Sequence, residues 1–210
     1  MASTALVIGN GESRLRIDLN NFKDTHILVG CNAVHRDIVV DHLICCDHRM
    51  VREALENPKT ANSTIHVRDN WHHYFRKIEK NKNVKLLPDL PYQGDLRPDK
   101  AIHWGSGPYA VLVAAQLNLP AVSLVGFDLY GRQEQVNNVY RNTENYSNTT
   151  APAVDPSYWI YQIGKLFSLF PNTQFNIINT EGWKMPTEWQ YDNVKKESIG
   201  VALPINTLYT

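Results

Sequence analysis

The sequence predicts an α/β fold: a single Rossmann-like domain with a mostly parallel sheet and helices on both faces. Three observations predict it. Short apolar runs alternate along the chain with segments of helical periodicity. The first run, Ala5-Leu6-Val7-Ile8, empties directly into Gly9-Asn10-Gly11, as a buried strand does at a ligand-facing turn. Apolar residues at 43% and charged residues at 20% over 210 positions suit one globular domain with a sizeable core.

Strands are expected at residues 5–8, 26–30, 43–46, 64–67, 84–87, 122–125 and 175–178, each a short apolar run of strand length. Residues 49–55 read as a helix that stops at Asn57-Pro58, because a proline disfavours helical geometry in the residue before it. Residues 71–79 place Trp71, Tyr74, Phe75 and Ile78 on one side of a second helix. Three prolines and a glycine make 88–100 a loop. Residues 109–117 are apolar nearly all round, the mark of a buried helix. The preceding Gly105-Ser106-Gly107-Pro108 offers it a serine cap and an early proline. The clearest helix is 156–170, with Asp155 as cap and Trp159, Ile163, Leu166, Phe167 and Phe170 at helical spacing.

Two regions break the alternation. Residues 131–153 are polar and asparagine-rich with little periodicity, and a long irregular segment in a compact domain reads as a lid. Residues 181–210 carry Trp183, Trp189 and Tyr191 but no clear element. This aromatic tail is expected to wrap the domain at 1–180 or to make a subunit contact in a homo-oligomer.

Twenty-one basic residues balance twenty-one acidic ones, which argues against a nucleic-acid partner bound through bulk charge. No apolar run approaches the roughly 20 residues of a transmembrane helix. Cys31, Cys45 and Cys46 cannot all pair with one another, which suits a reducing cytoplasm. The first turn carries Arg14 where a dinucleotide fold has its third glycine, and the second strand ends in Cys31-Asn32 rather than an acidic residue. A nicotinamide cofactor is therefore not expected. Neither a P-loop, a zinc-type His-Glu-x-x-His nor a serine nucleophile elbow occurs.

The candidate chemistry lies in loops at the carboxyl ends of strands. These are Gly9-Asn10-Gly11, then Gly30-Cys31-Asn32 with Asp47 after the third strand, and Gly126-Phe127-Asp128-Leu129-Tyr130. Gly105-Ser106-Gly107 opens the buried helix and offers N–H groups and a hydroxyl to an anion. Asn10 and Asn32 supply both a donor and an acceptor for a base or ribose edge. Asp47 stands where it can contact the ribose or base beside Asn32.

Gly9-Asn10-Gly11-x-Ser13, Cys31-Asn32, Ser106-Gly107-x-Tyr109 and Gly126-x-Asp128-x-Tyr130, in that order, resemble the bacterial single-domain lipooligosaccharide sialyltransferases. The pattern is also similar to the related motility accessory proteins and archaeal pterin pyrophosphokinases. The resemblance spans about residues 5–180 in short motifs. It implies a glycosyltransferase-like enzyme that binds a nucleotide-sugar, CMP-linked, with no metal and no other cofactor. It further implies a glycan or other hydroxyl acceptor. Asn10, Asn32 and Ser106 would contact the nucleotide, Gly9, Gly11 and Gly107 would help to hold it and its phosphate, Asp47 and Asp128 complete the nucleotide-binding set, and Tyr130 and Tyr140 would bond the departing phosphate. Phenols and N–H groups can stabilise that charge unaided. The family's lid histidine, the general base, has no counterpart: the last histidine is His103, and Glu144 is the carboxylate in the corresponding stretch. Two alternatives accompany this expectation. One is a pyrophosphokinase-type enzyme using a metal at Asp47 and Asp128, and the other a non-catalytic nucleotide-binding or assembly protein.

Overall fold

The computed structural model describes residues 4–78 and 83–199. Eight strands form one sheet, parallel throughout: β1 (Thr4–Ile8), β2 (His26–Cys31), β3 (His42–Cys45), β4 (Thr64–Val67), β5 (Asn83–Leu86), β6 (Ala121–Val125), β7 (Gln174–Asn179) and β8 (Val194–Ser198). Their order is β5-β4-β3-β2-β1-β6-β7-β8. The chain thus builds outward from β1 in one direction through β5, then crosses back to lay β6 on the other side of β1. Adjacent β1 and β6 leave from their carboxyl ends in opposite lateral directions, which opens a crevice there.

Helices α1 (His48–Glu56), α2 (Asp69–Ile78), α3 (Ser106–Ala115) and α4 (Ser157–Leu169) cover both faces. Ala5 and Val7 of β1 enter the core beneath α3 and α4, while Leu6 and Ile8 enter the one beneath α1 and α2. A strand buried on both faces has no polar side to present, which is why β1 reads as an unbroken apolar run. α3 lies between the sheet and α4 and contributes to the core from Tyr109 through Ala115. Its all-round apolar character has the same cause.

The seven expected strands form within two residues of their expected ends. β8 was not expected. Its sequence Val-Lys-Lys-Glu-Ser buries only Val194; an edge strand with solvent on its outer side needs little apolar pattern, and charge there discourages further pairing. α3 begins three residues earlier than expected, and no side chain caps it: Gly105 is its N-cap. The tail wraps the domain as far as it is described. Trp189 is fully buried with its indole N–H on Ile160 O at 2.9 Å, and Trp183 donates to Asp128 O at 2.8 Å. Residues 131–153 hold only isolated bridges, Arg132 with Gln135 and Gln135 with Pro152. Residues 1–3 of the expected domain, residue 79 of the second expected helix and 200–210 of the tail lie outside the described residues. Among the described residues no helix is long and apolar enough to cross a membrane.

Candidate functional site

The pairing of β1 with β6 continues past both strands. Gly9 N donates to Val125 O and Gly11 N to Gly126 O, each at 2.8 Å. The two loops come so close that a Cβ on Gly9 would lie 2.5 Å from Gly126 O. A Cβ on Gly126, whose φ is +70°, would lie 2.8 Å from Gly9 O. Glycine is thus required here by close backbone approach. The consequence corrects the sequence expectation: the Gly9 and Gly11 amides join two loops and do not face a guest. Glu12 N is likewise held by Asn137 Oδ1 and Ser13 N by Asp128 Oδ2, both at 2.9 Å.

Above this crevice lies a cavity of about 390 Å³, within the range of small-molecule sites. Gly9, Asn10, Gly11, Asn32, Asp128 and Tyr130 contribute to it from the strand ends, and Gly105, Ser106 and Gly107 from the start of α3. Trp159 and Ile163 of α4 form a side wall, and Asn137, Asn138, Arg141 and Tyr146 form a roof from the 131–153 segment.

The amides of Ser106 and Gly107 sit in the first turn of α3, where a helix offers its N–H groups no internal partner. The positive end of the α3 dipole therefore opens on the cavity. The Ser106 hydroxyl itself is committed: it donates to Asn32 Oδ1 at 2.8 Å and accepts from Cys46 N at 3.1 Å. It ties α3 to β2 and β3, and holds the Asn32 amide while Asn32 adopts a left-handed φ of 50°. Asn10 donates from Nδ2 to the Tyr146 hydroxyl at 3.2 Å, and its Oδ1 is buried with no partner. Ala33 N also donates to that hydroxyl, at 3.4 Å. Burial raises the Tyr146 phenol above its ordinary pKa, so it keeps its proton. The Tyr130 phenol is also raised, by burial and then by Glu188.

Eight of the ten residues singled out from sequence meet at this cavity: Gly9, Asn10, Gly11, Asn32, Ser106, Gly107, Asp128 and Tyr130. Asp128 does so with its carboxylate turned away toward Ser13, accepting from both N and Oγ, and toward Asn179 Nδ2 at 3.4 Å. Asp47 and Tyr140 stand apart. Asp47 caps α1 by accepting from Arg49 N at 2.8 Å. Burial raises its carboxyl, but hydrogen bonds and charge from Arg49 outweigh that and leave it below the ordinary value. Tyr140 is buried behind the roof, accepting from Arg14 Nη2 at 2.6 Å and donating to Asp37 Oδ2 at 2.5 Å. Glu144 is not in the cavity wall; its carbonyl accepts from Arg36 at 3.0 Å.

From sequence, Tyr146 and Trp159 stand only among the aromatic residues that suit stacking on a base or sugar, with no role assigned, and Arg141 was missed. Tyr140 and Tyr146 lie in one aperiodic stretch, and Asn142 and Asn145 between them take left-handed φ values of 63° and 67°. Those reversals decide which phenol faces the cavity. The asparagines that permit them were visible, but the resulting direction was not. No family model, curated protein or solved structure matches the chain.

Proposed function

We propose that the cavity binds a nucleotide-sugar, CMP-linked as the sialyltransferase resemblance implies, with its phosphate at the start of α3. The observation that carries this reading is the first turn of α3 lining a cavity that also presents asparagine amides. Main-chain N–H groups and a helix dipole attract an anion, Asn10 and Asn32 offer the mixed donors and acceptors a base or ribose needs, and Trp159 offers an aromatic face. In glycosyl transfer the bond from the anomeric carbon to the phosphate oxygen breaks, and its electron pair stays on the phosphate. A neutral phenol placed at that oxygen stabilises the charge as it develops. Tyr130 lines the cavity and takes that role, with Tyr146 in the position the sequence gave to Tyr140. The acceptor hydroxyl attacks the anomeric carbon and releases its proton to water.

A second reading, nucleotide binding without turnover, draws on one observation. The acidic side chain in the cavity wall, Asp128, is engaged by Ser13 and is not presented as a base. The metal-dependent reading loses ground for the same reason.

Calorimetric titration with CMP, CDP, ATP and NAD, with and without magnesium, tests the binding. Metal-independent binding of CMP in preference to the others is expected, and Asn10→Ala should weaken it with the fold intact. Turnover of CMP-sugars separates the two readings. If turnover occurs, Tyr130→Phe should lower kcat far more than it raises KM, because its bond strengthens in the transition state. A fully active Tyr130→Phe removes Tyr130 from the mechanism, and CMP failing to bind removes the nucleotide reading.

A further inference from the structure

Arg141 lines the same cavity, and its guanidinium is ion-paired with Glu12 Oε1. Glu12 directly follows the glycine loop, so this pair ties the roof of the cavity to its floor. The other carboxylate oxygen, Oε2, is 3.1 Å from Arg132 Nη1. Burial grades across the three side chains: Glu12 is 14% exposed, Arg141 34% and Arg132 71%. One carboxylate therefore serves two guanidinium groups at the cavity's edge. If Arg141 leaves, Glu12 keeps Arg132 and is not stranded as an unpaired, largely buried charge. Its main chain also stays put, held through Glu12 N by Asn137.

We infer that Arg141 takes the anionic group of the cavity's ligand, and that Glu12 occupies Arg141 while the site is empty. A carboxylate and a phosphate present equivalent pairs of oxygens to the guanidinium fork, so one can replace the other without rebuilding the arginine's surroundings. The exchange makes and breaks no covalent bond. The inference rests on the anion-binding part of the proposed function and adds to it a cation supplied by the 131–153 segment. Arrival of the ligand then moves Arg141 from Glu12 to the ligand itself, while Val139 N stays on Asn10 O and Asn137 stays on Glu12 N.

The test is titration of inorganic phosphate and of CMP at low ionic strength into wild type, Arg141→Gln, Glu12→Gln and Arg132→Gln. Removing Arg141 should weaken binding by roughly tenfold or more, the worth of a charged hydrogen bond. Removing the charge of Glu12 should tighten it by about threefold to tenfold, since the competitor is gone. Arg132→Gln should weaken binding slightly, because Glu12 then holds Arg141 alone. Opposite signs at 12 and 141 are the signature: a bridge that merely braced the fold would lose affinity from either side. Thermal melts check folding, and Glu12→Gln carries the test if Arg141→Gln fails to fold. Unchanged affinity in Arg141→Gln, or weaker binding in Glu12→Gln, overturns the inference. CMP bound equally by all four proteins removes Arg141 and leaves the nucleotide reading standing. Phosphate bound with the opposed signs while CMP fails does the reverse. No binding of either to wild type ends both.

Discussion

The floor of the cavity is joined by main-chain hydrogen bonds, from Gly9 to Val125 and from Gly11 to Gly126, whereas its roof meets the floor through one main-chain bond, Val139 N to Asn10 O at 2.8 Å, and is otherwise anchored by side chains. Arg36 is the centre of the roof's attachment. It donates from Nη1 to Thr143 Oγ1 at 2.7 Å and from Nη2 to Glu144 O at 3.0 Å, and it pairs with Glu53 through Nε at 2.5 Å. Asn145 Nδ2 meets the same carboxylate at 2.9 Å. Behind these lies the buried Arg14, with Tyr140 and Asp37 around it. Contacts between backbones fix the floor to within tenths of an ångström and leave no substitution neutral. Contacts between long polar side chains are individually modest and can be exchanged for others. The difference makes the floor the rigid wall of the cavity and the roof the adaptable one.

The largest effect should come from breaking the floor. Gly126→Ala places a methyl 2.8 Å from Gly9 O at a φ of +70°, and stability should fall by about 2–4 kcal/mol in urea unfolding. A variant as stable as wild type would show that the two loops can part at little cost. Next comes the roof. Tyr140→Phe removes the phenol that joins Arg14 to Asp37 and should cost about 1–2 kcal/mol. Because that phenol does not line the cavity, CMP affinity should stay within about twofold of wild type. A tenfold loss would return Tyr140 to the site. The smallest effect is expected outside both walls: Asp47→Ala loses the α1 cap, about 1 kcal/mol of stability, and leaves CMP titration curves unchanged.

The same division governs what could be read from the sequence. Runs such as 5–8 and 122–125 are legible as buried parallel strands because burial on both faces leaves a continuous apolar signature. Glycines 9 and 126 are legible as turns at strand ends, since that position needs backbone freedom. What they do there was not legible. The Gly9 and Gly11 amides donate to Val125 O and Gly126 O, because partner choice for an N–H depends on which strands become neighbours, and β1 and β6 are far apart in sequence. Ser106 shows the limit on the floor: it lines the cavity, but a hydroxyl at a helix start can turn to a cap or to a neighbouring strand, and here it turns to Asn32 and Cys46. In the roof, direction is set by isolated left-handed residues, so Tyr140 and Tyr146 could not be told apart. β8 gave no signal because four of its five residues face solvent.

The bonds between Ser13 and Asp128 span 115 positions of the chain. A polypeptide growing from a ribosome therefore has the β1 half of the crevice long before the β6 half exists. Until residue 128 emerges, the Gly9–Ser13 turn lacks the carboxylate that later braces it. Closing so long a loop is slow compared with forming local structure, which makes the cavity one of the last features the nascent molecule acquires. A partly synthesised chain consequently has a sheet edge at β1 but no enclosed cavity.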